Sequence, residues 1–168
     1  MLTGSSLRVF RAILALSQKD LAKLIGCSYA TIAQIESKEC GSQYCGLIAR
    51  RLAIFFREKG FFIYIGEGDQ VTLKIPLERE ILVNNAIVGR YVVAVRKILN
   101  MTYPEFVNFT GIGEVILKKM ENSVGECDAK APVLYTFSRK IERAGLSFNI
   151  EGKILTIKYQ ETTDKYDR

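Results

Sequence analysis

Leu16 to Glu36 reads LSQKDLAKLIGCSYATIAQIE, and the fold follows from how that stretch is parsed. Leu21, Ala22 and Ile25 recur on one face of a predicted helix, and Ile32 and Ile35 recur on one face of a second. Gly26 lies between them, where the chain must turn steeply and a residue free to take positive φ costs least. Ser28 is placed to cap the second helix, its hydroxyl accepting from a backbone N–H that the helix leaves unpaired. Tyr29, Ala30, Ala33 and Gln34 then fall on the side away from the apolar stripe. An exposed face that is uncharged but can hydrogen-bond suits the edges of base pairs in a major groove.

Outward from this stretch, Leu7, Phe10, Ile13 and Leu14 predict an earlier helix over about residues 7–15, preceded by Gly4 to Ser6. Ser37 to Gly46 is polar and reads as a loop. Ile48, Leu52, Phe55 and Phe56 predict a further helix over about 47–59, with Gly60 as its C-cap. The period then changes to two. Phe61, Ile63 and Ile65 alternate with Phe62 and Tyr64, and Val71, Leu73 and Ile75 follow a Gly66-Glu67-Gly68-Asp69 turn. This predicts a β-hairpin that Pro76 ends.

Residues 7–60 resemble the helix-turn-helix family of phage Cro and cI repressors, also called XRE-like. The resemblance rests on Arg11, Leu16-Ser17-Gln18, Leu21-Ala22, Gly26-Cys27-Ser28, Thr31-Ile32 and Ile35-Glu36. It implies a compact helical bundle that contacts bases or phosphates through Gln18, Ser28, Tyr29, Ala30 and Gln34. Thr31 belongs to the same reading surface, and Lys38, just past the second helix, adds a cation to it. The resemblance further implies a salt bridge from Arg11 to Glu36 that ties the recognition helix to the body.

Shifting the sequence by 85 residues lays Gly4 on Gly89, Arg11 on Arg96, Gly26 on Gly111, Glu36 on Glu121, Gly60 on Gly145 and Ile65 on Ile150. Similar residues fill the gaps, such as Leu21 with Phe106 and Ile32 with Leu117. A second hairpin follows at Leu146 to Ile150 and Ile154 to Tyr159, turning at Glu151-Gly152-Lys153. The expected fold is mainly α, two tandem lambda-repressor-like helix-turn-helix bundles, each followed by a β-hairpin. The expected boundaries are 1–76, a connection at 77–88 too apolar to be a free linker, 89–160, and a tail at 161–168.

The second copy departs from the first. Glu114, Val115, Lys118 and Lys119 stand where the first has Tyr29, Ala30, Ala33 and Gln34. Tyr103 replaces Gln18 and is followed by Pro104, which suits a helix's first turn, and Gly113 replaces the Ser28 cap. Lys118 and Lys119 suit phosphates, whereas Glu114 suits only a cytosine amino group. This copy therefore reads a different half-site, grips the backbone without reading, or has turned to protein binding. Each hairpin is apolar on one face, and a lone two-stranded ribbon is marginal in water. The two hairpins join in one sheet, cover each other, or pair with another copy of the chain. That makes either an intrachain pseudo-dimer or a homodimer.

The 168 residues carry a net charge of +6, which favours a polyanionic partner. The excess is spread evenly, with no basic tail, so nucleic acid would be met by a folded surface. Cys27, Cys40, Cys45 and Cys127 fit no zinc spacing, and without histidine no Ser-His-Asp or Cys-His site can form. No metal, cofactor or enzymatic activity is expected. With no apolar run of membrane length and no signal peptide, the expected compartment is the cytoplasm and the thiols free. The expected function is sequence-specific binding of double-stranded DNA in transcriptional regulation. The alternative is a protein-interaction regulator, an anti-activator or antirepressor, that keeps the fold.

Overall fold

A computed structural model describes residues 2–37, 46–83 and 86–160. Among these, eight α-helices and a four-stranded antiparallel sheet make a mixed but mainly helical molecule. The order is α1 (Gly4–Ile13), α2 (Gln18–Ile25), α3 (Tyr29–Ser37), α4 (Leu47–Glu58), β1 (Phe62–Ile65), β2 (Gln70–Pro76), α5 (Gly89–Ile98), α6 (Tyr103–Thr110), α7 (Glu114–Glu121), α8 (Ala131–Arg143), β3 (Ser147–Glu151) and β4 (Ile154–Gln160). Four helices and two strands therefore occur twice in the same sequence. The bounds of α1 and α5, and of α2 and α6, differ by the displacement seen in the sequence.

One expected boundary is wrong in a telling way. Helix α1 begins at Gly4, not Leu7, because Thr3 caps it and exchanges hydrogen bonds with Ser6. Gly4, Ser5 and Ser6 are buried first-turn residues. Their small size admits a close neighbour, and Ser5 Oγ lies 2.7 Å from Tyr159 Oη on β4.

The hairpins join edge to edge in the order β1-β2-β4-β3. Ile63 faces Leu73 in the first hairpin and Phe148 faces Ile157 in the second, so Leu73 and Ile157 hold equivalent places. In the central ladder these two residues pair with each other, flanked by Val71 with Tyr159 and Ile75 with Leu155. A local two-fold axis thus passes through the Leu73–Ile157 pair. Val71, Leu73, Ile75, Leu155 and Ile157 are fully buried beneath the helices, while Lys74 and Lys158 face outward. Helices α1 and α5 also pack on each other, and one hydrophobic core runs through both halves. Phe10 packs at a tilt against Phe56 and Phe61 in the first half, and Tyr91 packs edge-on to Phe137 and at a tilt against Phe148 in the second.

The connection between the halves packs against the second. Leu77, Ile81 and Ile87 are buried, and Leu77 and Ile81 donate backbone bonds to Lys153 and Gly152 in the β3–β4 turn. Leu82 and Val83 are instead exposed. Gly89 opens α5 against the end of α7. A Cβ there would fall on the Ser123 carbonyl oxygen and lie 2.9 Å from that of Glu121. Gly89→Ala gains about 1 kcal/mol of helix propensity. It meets backbone that cannot rotate aside, a strain of about 1–3 kcal/mol. A lower urea midpoint is the expected result, and an unchanged or higher one would show that the α5–α7 contact yields.

Candidate nucleic-acid interface

The α2–α3 corner is built as its sequence indicates. Ser17 caps α2 and exchanges bonds with Asp20, whose carboxyl is held below its usual range by the Ser17 hydroxyl and then the Ser17 amide. Gly26 closes α2 at φ 71°, ψ 46°, a left-handed conformation that a side chain would strain. Ser28 Oγ accepts from the Thr31 amide at 3.1 Å, as a cap should. Leu21, Ala22, Ile25, Ile32 and Ile35 point into the core.

The residues read from sequence as a binding surface divide into three groups. Ser28, Tyr29, Ala30 and Gln34 are exposed together on the outer side of the corner. Thr31 is half-buried and its hydroxyl lies 2.8 Å from that of Ser28, so it helps close the cap. Gln18 is half-buried, and its amide nitrogen spends one of its two N–H groups on Glu36 Oε2 at 2.6 Å. That bond steadies Glu36. Lys38, Cys40 and Cys45 lie outside the described residues.

Glu36 is the hub of the first half. Arg11 Nε and Nη2 donate to its two carboxylate oxygens at 2.6 and 3.0 Å, and Arg11 Nη1 donates to the Leu16 carbonyl at 2.8 Å. The fork is bidentate and the Glu36 side chain is only 5% exposed. In the second half Arg96 holds Glu121 in the same way, at 2.6 and 3.2 Å. There the Tyr103 hydroxyl donates to Glu121 in place of the Gln18 amide. Burial, then the hydrogen bond with Glu121, pushes the Tyr103 phenol up to about 12. Its ring also lies under the Arg96 guanidinium at 4.2 Å.

The second corner presents a different face. Gly113 gives α7 no side-chain cap, and Pro104 sits in the first turn of α6. Lys118 pairs with Glu114 at 2.5 Å and Lys119 with Asp128 at 3.1 Å, all four exposed. Such pairs are worth little in water and are easily given up to a stronger anion. Between them Val115 is 82% and Ile116 42% exposed.

One cation that the sequence did not single out, Arg8, joins the halves. Arg8 Nη1 donates to the Glu36 carbonyl, and Arg8 Nε to the Lys97 carbonyl at 3.3 Å. Arg8 stands one turn before Arg11 on α1, and that spacing was the available signal. Among the described residues no group of three or more His, Cys, Asp or Glu could hold a metal ion. No helix there is long and apolar enough to cross a membrane. No family model, curated protein or solved structure matches the chain.

Proposed function

We propose that this chain is a sequence-specific DNA-binding regulator of transcription. In this reading residues 1–76 and 89–160 are tandem, lambda-repressor-like helix-turn-helix units, and the protein is a cytoplasmic non-enzyme. The observation that supports it most is the outer face of the α2–α3 corner. Tyr29, Ala30 and Gln34 stand exposed and uncharged on a short helix whose start is capped by Ser28 and whose end is fixed by Arg11 and Glu36. Such a helix can enter a major groove with its side chains already aimed. The paired hairpins and the α1–α5 contact support reading the chain as an intrachain pseudo-dimer, in which one molecule would span two half-sites.

The test starts by selecting bound duplexes from random DNA. Gln34→Ala is then expected to weaken the selected site by roughly tenfold or more, the worth of one base contact, with little change on random DNA. Equal losses on both would reject a reading role for Gln34. The second unit favours phosphate gripping through Lys118 and Lys119 over base reading, since Glu114 is tied to Lys118. The exposed pair Val115 and Ile116 supports the rival reading, in which this unit docks a protein as an anti-activator or antirepressor would.

A further inference from the structure

Helices α1 and α5 pack side by side. Near the start of α1, Ser5 meets Tyr159 of β4. Farther along lie Arg8, mid-way in α1, and Arg11 with Arg96 and Lys97 of α5, beside the closing turns of α3 and α7 that carry Glu36 and Glu121. Four cations thus meet two carboxylates at one seam. Each carboxylate is already held by the two donors of its own arginine.

Lys97 is the residue this arrangement leaves over. It is half-buried, and no bond from its ammonium to another side chain occurs among the described residues. Burial, then the charges of Arg96 and Arg11, hold its pKa below the usual lysine range, against a weaker pull from Glu121 and Glu36. Folding does not require a lysine here, because the equivalent position on α1 is Ala12. Arg8 is equally private to its half, since Val93 stands in its place on α5. A lysine held half-buried beside Arg8 and two already paired arginines costs stability unless an anion joins it.

We propose that Lys97, in the positive field of Arg8, Arg11 and Arg96, makes this seam a phosphate-binding site that holds a DNA phosphodiester between the two units. The proposal rests on the DNA-binding reading for the source of the phosphate, but the anion site itself stands on the seam's own charges. In that reading the seam lies between the closing ends of α3 and α7. It would meet the backbone between two half-sites, and its contact would be blind to sequence.

The test uses the full chain, Lys97→Met, which keeps the apolar stem, and Lys97→Arg, which keeps the charge. Binding to the selected duplex is followed by fluorescence anisotropy across a salt series. Thermal unfolding is followed with and without inorganic phosphate at constant ionic strength. Lys97→Met is expected to reduce the slope of log K against log salt by about 0.9, the share of one phosphate, with the preference for the selected site over random DNA unchanged. Lys97→Arg should restore the slope. If the slope holds but Lys97→Met abolishes a phosphate-induced rise in Tm, the seam takes a free anion and only the DNA source is wrong. If the intact chain binds no DNA, the functional reading fails while the phosphate arm still decides the seam. An unchanged slope together with an unchanged phosphate response overturns the proposal. Lys97→Met should fold at least as well as the parent, so loss of fold cannot mimic these results.

Discussion

Glu36→Ala is expected to destabilise the protein by about 3 kcal/mol, the lower end of what removing one partner of a buried ion pair costs. For a chain of this length that corresponds to a fall in Tm of roughly 6–12 °C. The carboxylate is 5% exposed and receives two bonds from Arg11 and one from Gln18. Truncation leaves those donors without an acceptor. Arg11 keeps 17% of its side-chain surface, so water can reach it in part, which sets the figure at the lower end. An exposed pair would lose no more than about 1 kcal/mol, and a measured loss that small would show the hub to be solvated. The double replacement Arg11→Met with Glu36→Leu should recover most of the stability, since it removes both charges at once. It should not recover DNA affinity, because an apolar contact lacks the fork that orients the end of α3. Glu121→Ala in the second half should cost as much or more, for its 7% exposed carboxylate serves Arg96, which is only 11% exposed, and the Tyr103 hydroxyl as well.

What the sequence made legible is local. The cap at Ser28, the left-handed Gly26 and the apolar faces of α2 and α3 each depend on residues within four positions of one another, so periodicity and turn chemistry suffice to place them. The repeat was legible because equivalent glycines and charges recur at one displacement. What it did not disclose depends on partners far along the chain. Gly4 to Ser6 read as preceding the first helix, whose apolar stripe starts at Leu7; they are helical because Thr3 caps them and Tyr159 lies against Ser5. Gln18 reads as a surface amide until Glu36, eighteen positions away, is seen to accept from it. Arg8 and Lys97 are unremarkable charges until α1 meets α5. The union of the hairpins was one of three open arrangements, since an apolar ribbon face states that it needs cover but not what supplies it.

Leu73→Ala is expected to cost about 2–5 kcal/mol and to lower the stability of both halves together. Leu73 is fully buried, lies on the local two-fold axis and faces its own counterpart Ile157 across the central ladder. Strand β2 is paired on both sides, to β1 and to β4, so a cavity at Leu73 loosens packing in each hairpin at once. The observable is urea unfolding followed by far-UV circular dichroism, which reports the helices of both halves. A single transition that moves to lower urea with its slope unchanged is the expected result, because one core passes through α1, α5 and the sheet. Ile157→Ala should do the same by a comparable amount. The double variant should lose less than the sum, since two residues in contact share one cavity. Two transitions, one left at the parent midpoint, would mean that the halves fold independently and that the shared strand pair merely tethers them. The rigid spacing between α3 and α7 that the proposed span of two half-sites requires would then be gone, and the seam with it. A single transition ties the distance between the two corners to the packing of one buried residue pair.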